Sequence, residues 1–179
     1  TVTGAGVGIL ASQGKGPLIT HATIGRVIDL GIKDPTDMGT AMAPAAADTL
    51  LQHFRDTSRN PDDYDLILTG DLAQVGSDIL RKIMENNDIP LGNNYNDGGI
   101  MIFDKKQGVN SGGSGCGCIA STLCGYVYKE ILKGKLKKVL LVGTGALLSP
   151  TTYQQKESIP GIAHAIVLEY SGKEESHVC

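Results

Sequence analysis

The sequence predicts an α/β fold in which helices cover both sides of a sheet. Apolar strand-like runs alternate with helical segments along most of the chain, and most of these helical segments are amphipathic. One of them is apolar or small on every side, which is typical of a buried helix. With 179 residues, 41% of them hydrophobic, the chain can form one core. We therefore expect one domain over residues 1–179.

The composition excludes some classes of function. The formal net charge is -3 and the basic residues form no long run, so no nucleic-acid partner is expected. The four cysteines fit neither a disulfide framework nor a paired zinc site, which predicts reduced thiols and no metal. There is no signal peptide and no run of about eighteen apolar residues, so we expect an intracellular chain without a transmembrane segment.

The start of the chain predicts a β-hairpin. Residues 4–10 superficially resemble a dinucleotide-binding fingerprint, but a turn follows them instead of the helix that this fingerprint requires. A second strand-like run over residues 18–28 favours a hairpin. Because the sequence opens without methionine inside a strand-like run, it is also expected to be a fragment of a longer protein.

Two amphipathic helices and a buried strand are predicted next. Pro44 suits the first turn of an outer helix, where its missing N–H group costs nothing. A short apolar run over residues 64–70 predicts a buried strand. The two apolar stripes that predict the helices are Ala43, Ala46, Ala47, Leu50 and Phe54 in the first, and Gly76, Ile79, Leu80, Ile83 and Met84 in the second.

The remaining elements are predicted from shorter signals. Residues 91–99 have loop chemistry, and only residues 100–103 look like a strand. Further strands are expected at residues 138–143 and 163–170, with a loop between them, and residues 172–179 are expected to form a frayed tail.

A glycine-rich loop at residues 110–117 precedes the helix that has no polar face. The first charge of this helix is Lys129, so we expect it to be buried on all sides, and Lys133 and Gly134 end it. Free N–H groups and the helix dipole make its N-terminus a ready site for a carboxylate, a phosphate or an oxyanion. Ser114 and Cys116 lie there. The alternative is a purely structural turn.

Three loops are expected to meet at this N-terminus. Ligands of α/β sheets bind beyond the carboxyl ends of the strands. Those ends are residues 69–71 and 143–145, and the expected topology places Cys116 beside them. The sequence therefore predicts one site built from three loops.

Two segments and the order of elements resemble a known family. The segments are residues 115–121 (GCGCIAS) and residues 149–161 (SPTTYQQKESIPG). The chain resembles the C-terminal half of the thiolase fold and, over nearly its whole length, the stage V sporulation protein AD family of spore-forming bacteria. The resemblance implies a five-layered αβαβα fold of two similar halves, with a mixed sheet and a buried central helix. The N-terminal half is then absent from this chain.

The resemblance also implies that this protein is not an enzyme. Thiolases and ketoacyl synthases combine a nucleophilic cysteine of the N-terminal half with two His, or His and Asn, of the C-terminal half. The corresponding positions hold Gly70 with Asp71, and Cys116. Neither can supply the neutral base that acyl transfer needs.

By the same resemblance, the protein binds dipicolinic acid and takes part in its uptake into the developing spore. The implied partners are other stage V sporulation A proteins of the spore membrane, the N-terminal half and a second copy in a homodimer, with a peripheral location at the forespore inner membrane. Asp71 would repel the dianion unless it is protonated, paired or bridged by Ca²⁺, and it could instead cap the second helix. The expected lining residues are Asp71, Ser114, Cys116, Gly117, Thr144, Gln154 and His164.

Two other functions stay open. Cys116 could be the nucleophile of an acyltransferase or hydrolase, for which His164 is the only suitably placed base among the four histidines. The chain could also be a structural interaction module of a membrane assembly.

Overall fold

The centre of the molecule is a mixed five-stranded sheet. In the computed structural model, which describes residues 1–170 and 172, the strands are Leu18–Thr23 (β1), Leu66–Thr69 (β2), Tyr95–Asp97 (β3), Lys138–Ala146 (β4) and Gly161–Glu169 (β5). Their spatial order is β1-β5-β4-β2-β3. β2 pairs in parallel with β3 and β4, while β5 pairs antiparallel with β4 and β1. The predicted α/β class with a mixed sheet is confirmed. The predicted frayed tail, apart from residue 172, lies outside the described residues.

One face of the sheet is covered by two long helices, Met38–Thr57 (α1) and Ala73–Asn86 (α2). Their apolar stripes pack with Ile67, Leu140 and Val167 into the larger hydrophobic core. Both predicted helices are confirmed, but Pro44 lies inside α1 and not in its first turn. The reason is the Asp37 side chain, which accepts a hydrogen bond from the Thr40 N–H group and so starts the helix earlier.

The other face carries the central helix, residues 117–132, in three consecutive segments. They are the α-helices Gly117–Thr122 (α4) and Tyr128–Leu132 (α5) and, between them, one π-helical stretch, Leu123–Val127. Val127 and Ile131 are buried against strand residues, but Tyr126 and Leu132 are 53% and 44% exposed. The second half of the central helix is therefore covered on one side only by the described residues. The expected burial on all sides is not found in this chain.

The predicted N-terminal hairpin is wrong. β1 pairs with β5, and the residues before it form no strand. Instead, Gly4 and Gly6 lie against Ser121 and Ala120 of the central helix, so closely that a Cβ atom on either glycine would clash. The Val2 N–H group donates to the Ser114 carbonyl oxygen at 2.8 Å. Glycines at alternate positions allow this backbone approach, which replaces strand pairing.

The strand predicted at residues 100–103 is also wrong. The strand is β3, and a short helix, Gly98–Met101 (α3), follows it because Asp97 caps its first turn. A second short helix, Pro150–Gln154 (α6), replaces part of the loop predicted between β4 and β5, and Ser149 caps it. Single 3-10 turns lie at Pro61–Asp63 and Lys105–Gln107.

Candidate functional site

The three loops meet as predicted, and Asp71 joins them. Its carboxylate accepts a hydrogen bond from the Gly115 N–H group at 2.8 Å and another from the Thr144 hydroxyl at 2.7 Å. The Thr144 hydroxyl oxygen also accepts the Asp71 N–H group at 3.1 Å. Asp71 is 7% exposed. The ends of β2 and β4 are thereby tied to the glycine loop in front of α4.

This arrangement changes how the helix N-terminus is interpreted. The loop that leads into the central helix already contacts an anion, the protein's own Asp71 carboxylate, through Gly115. The alternative interpretation of Asp71 as the cap of α2 is wrong, since the Leu72 and Ala73 N–H groups that begin α2 donate to Asp97. The donors to Asp71 are neutral, a backbone N–H group and a hydroxyl, so these hydrogen bonds hold the carboxylate in place without cancelling its charge.

Asp97 is a site residue that sequence reasoning missed. It is completely buried, and burial raises the pKa of its carboxyl group, an effect that its hydrogen bonds oppose. Both of its oxygens act as acceptors. The donors are the Thr69 hydroxyl and the N–H groups of Leu72, Ala73 and Gly99, at 2.6 to 3.0 Å. Only the Asp-Gly-Gly sequence after a strand hinted at it, and this signal also fits an ordinary turn.

The glycine loop places its predicted residues differently. Cys116 is exposed immediately before α4, and its side chain does not cap the helix. Ser114 is half-buried and uses its carbonyl oxygen to accept the Val2 N–H group. Gly117 is buried, and the carbonyl oxygen of Gly4 lies 2.8 Å from the place where a Cβ atom would be. Ser114 and Cys116 thus remain accessible, whereas Gly117 serves the packing of the first residues.

Thr144 and His164 lie on opposite faces of the sheet. Thr144 pairs with Ala163, and His164 pairs with Gly143. Paired residues share a face and successive residues alternate, so His164 faces the side of the central helix and Thr144 the side of α1. The His164 Nδ1 atom accepts the Gly25 N–H group at 3.1 Å. His164 is therefore not part of the Asp71 cluster.

Gln154 lies at the end of α6 and is exposed. Gly143, which was not predicted as a site residue, is also exposed, and a Cβ atom built on it would meet only the His164 carbonyl oxygen, at 3.9 Å. Open space therefore adjoins the strand position next to Thr144.

No histidine among residues 1–170 hydrogen-bonds to Cys116. His21 contacts Thr20, His53 contacts Thr23 and Tyr64, and His164 contacts Gly25. The neighbouring thiol of Cys118 is buried, and its pKa is raised to about 11 by burial and by the charges of Asp71 and Asp97. A thiol with a raised pKa is a poor nucleophile.

The described residues contain no group of three or more His, Cys, Asp and Glu side chains that could hold a metal ion. None of the helices within the described ranges is long and apolar enough to span a membrane. A surface groove of about 510 Å³ lies where α1 and α2 end, lined in part by Phe54, Arg59 and Asn87, and it is separate from the Asp71 cluster.

Strand order, covering helices and joined loops define an α/β protein with a candidate site at the carboxyl ends of β2 and β4. A family model described as Stage V sporulation protein AD (SpoVAD) matches residues 1–169. The chain belongs to this family. It is 54% identical, over 173 residues, to Stage V sporulation protein AD of Bacillus subtilis (strain 168), a match that covers 96% of this chain and 51% of that protein. The chain thus spans about half the length of this relative.

Solved structures with a similar fold were also found. One is MvaS in complex with 3-hydroxy-3-methylglutaryl coenzyme A, with a TM-score of 0.49 and 14% identity, covering 88% of this chain and 41% of that one. Another is 3-oxoacyl-[acyl-carrier-protein] synthase III from Aquifex aeolicus VF5, with a TM-score of 0.43 and 13% identity, covering 89% and 55%. At these TM-scores the likeness says nothing about activity.

Proposed function

We propose that this protein binds dipicolinic acid without catalysing a reaction and takes part in the uptake of dipicolinic acid into the developing spore. The observation that carries the proposal is the engagement of Asp71 by Gly115 and Thr144 beside an exposed Cys116. The strand ends and the helix N-terminus of an α/β ligand site are present, but no imidazole contacts the thiol in the described part of the chain. Such an arrangement suits ligand binding, and without an imidazole beside it Cys116 has no histidine base to activate it.

The chemistry of the ligand fits these surroundings. Dipicolinate is a flat pyridine with two carboxylates, which suits a slot of N–H groups, hydroxyls and amide dipoles. Ser114 and Cys116 flank Gly115, and Gly115 and Thr144 donate to Asp71. Of the other predicted lining residues, Gly117 packs against Gly4, Gln154 is exposed at the end of α6 and His164 lies on the opposite face of the sheet from Thr144. Because Asp71 is ionisable and already accepts two hydrogen bonds, Ca²⁺ bound with the ligand would reduce the repulsion between them.

The exposed side of the central helix supports the proposed partner. Tyr126 and Leu132, together with Val7 and Ile9, expose between 44% and 92% of their surface. We assign this side to the N-terminal half of the same protein. A homodimer and the other stage V sporulation A proteins, at the forespore inner membrane, would use other surfaces.

Calorimetry on the full-length protein tests the proposal. Dipicolinate should bind, more tightly with Ca²⁺, and isophthalate should bind more weakly because it has both carboxylates but no ring nitrogen. Thr144→Val should weaken binding at least tenfold, about 1.4 kcal/mol, whereas Thr144→Ser should retain it. No heat with dipicolinate, with or without Ca²⁺, would leave the structural module as the better hypothesis.

The exposure of Cys116 beside a helix favours one further candidate, an acyltransferase or hydrolase with this nucleophile. Incubation with an acyl thioester followed by mass spectrometry separates the two. An acyl adduct on Cys116 that is absent from Cys116→Ala would support the enzyme.

A further inference from the structure

We propose that Asp97 is the positioning residue of the candidate site, holding the turn that carries Asp71 and, through Gly99, the glycine loop that carries Cys116. The consequence for ligand binding rests on the proposed function. The positioning itself follows from hydrogen bonds alone.

The Asp97 carboxylate accepts hydrogen bonds from four groups. One oxygen accepts the Thr69 hydroxyl at 2.6 Å and the Leu72 N–H group at 3.0 Å. The other accepts the N–H groups of Ala73 and Gly99, both at 2.9 Å. A single buried side chain thus ties the end of β2, the start of α2 and the start of α3 together.

The segments that Asp97 holds are hydrogen-bonded in turn to the glycine loop. The Gly99 carbonyl oxygen accepts the Gly113 N–H group at 2.7 Å. The Ser111 carbonyl oxygen accepts the Gln74 N–H group at 2.7 Å, and its hydroxyl accepts the Val75 N–H group. These bonds join residues 73–75, residues 97–99 and residues 111–113 into one unit.

Asp71 connects this unit to the candidate site. Asp71 lies between Thr69 and Leu72, both of which Asp97 holds, and its carboxylate bonds Gly115 at 2.8 Å. The backbone at Ala73 has φ +54, a left-handed conformation that a residue with a side chain adopts only when its surroundings fix it. The bond from Ala73 to Asp97 supplies that constraint.

Capping of α3 alone does not account for all the hydrogen bonds of Asp97. As the cap of α3, Asp97 needs only the Gly99 N–H group, and a cap does not require bonds to Leu72, Ala73 or Thr69. The Tyr95 hydroxyl supports the arrangement from the other side, because it lies 2.9 Å from the Thr69 hydroxyl and donates to Ser77.

The test compares two variants of the full-length protein. Asp97→Asn keeps the size of the side chain but places an amide N–H₂ group where donors converge. Tyr64→Phe is the matched control, because it removes a buried hydrogen bond to His53 and leaves the loops untouched. If Asp97→Asn does not fold, Thr69→Val replaces it, since it removes one of the donors.

The reporter is alkylation of Cys118, with Cys116 as the internal reference. Cys118 is buried, and its Sγ atom lies 3.2 Å from a Cβ atom built on Gly113, so displacement of the glycine loop would uncover it. Mass spectrometry gives the labelling ratio of Cys118 to Cys116 while both variants are folded, with urea added to Tyr64→Phe until its free energy of unfolding equals that of Asp97→Asn, so that global opening is the same in both.

Asp97→Asn should raise this ratio at least tenfold above that of Tyr64→Phe, and weaken dipicolinate binding when Tyr64→Phe does not. A ratio no higher than in Tyr64→Phe overturns the positioning role. If the wild type fails to bind dipicolinate, the proposed function is wrong, and the labelling ratio alone still decides the role of Asp97.

Discussion

Two buried polar networks, one around His53 and one around Asp97, differ in the groups that they bind. His53 is fully buried and bonds only side chains, the hydroxyls of Thr23 and Tyr64, at 2.8 and 2.7 Å. Asp97 is equally buried but bonds mostly backbone N–H groups of loops. The first network joins elements that already pack against each other. The second joins the segments around Asp71 through their backbone groups, so it fixes the geometry of the candidate site as well as adding to stability.

The largest effect should come from Asp97→Ala. Three backbone N–H groups and one hydroxyl lose their acceptor in the protein interior, and each unsatisfied group costs about 1–3 kcal/mol. We expect a loss of at least about 3 kcal/mol in the free energy of unfolding, measured by urea denaturation of the full-length protein. A loss below that of Tyr64→Phe would remove the contrast between the two networks.

The His53 network should make stability depend on pH. Burial lowers the pKa of His53 to about 4, below its usual 6.5. The unfolded chain therefore binds the proton first, so this contribution is complete above pH 6.5 and is lost as the pH falls toward 4. Between pH 7.5 and pH 5 it should amount to about 2 kcal/mol.

Urea denaturation of wild type and His53→Gln across this range gives the measurement. The variant should lose less stability on acidification than the wild type, because its amide does not titrate. Equal slopes would show that His53 is not the group responsible.

The next effect concerns Thr144, which links the site to β4. Thr144→Val removes the donor to Asp71 and should cost about 1 kcal/mol. Thr144→Ser keeps the hydroxyl and should stay within about 0.5 kcal/mol of the wild type. Thermal denaturation of the three proteins compares them, and an equal loss in both variants would show that the hydrogen bond from Thr144 to Asp71 is not the source of the effect.

The smallest effect should come from Gly143, in contrast to Gly70 at the neighbouring strand end. A Cβ atom on Gly143 meets only one atom, at 3.9 Å, whereas a Cβ atom on Gly70 would lie 2.5 Å from the Thr144 hydroxyl. Gly143→Ala should therefore change stability by less than about 0.5 kcal/mol, and Gly70→Ala should be clearly destabilising. Similar melting temperatures for both variants would contradict this geometry.

Much of the scaffold could be predicted because its signals are local. The apolar stripes of α1 and α2 and the runs of β2, β4 and β5 depend on residues close in sequence. The meeting of the loops followed from a general property of α/β sheets. The partners of Asp71 could not be predicted, because Gly115 and Thr144 are brought to it only by the folded sheet.

The errors have physical causes of the same kind. The first residues look like a strand, but Gly4 and Gly6 satisfy a helix and not a neighbouring strand. Asp97 reads as part of a loop because Asp and Gly favour turns, and nothing local reveals that Leu72 and Ala73 donate to it. An acceptor whose donors are distant in the sequence produces no periodic pattern of residues from which it could be predicted.

The carboxylate at the entrance to the central helix has a consequence for exchange. An ionised Asp71 carboxylate has the same sign of charge as any dianion that binds beside Gly115. Under the proposed function, a dianion must therefore bring a counter-ion or weaken the hydrogen bonds of Asp71, and both routes favour ready release over tight retention. Occupancy of the candidate site would then follow the supply of divalent cations, which under the proposed function suits transfer of the ligand better than its storage.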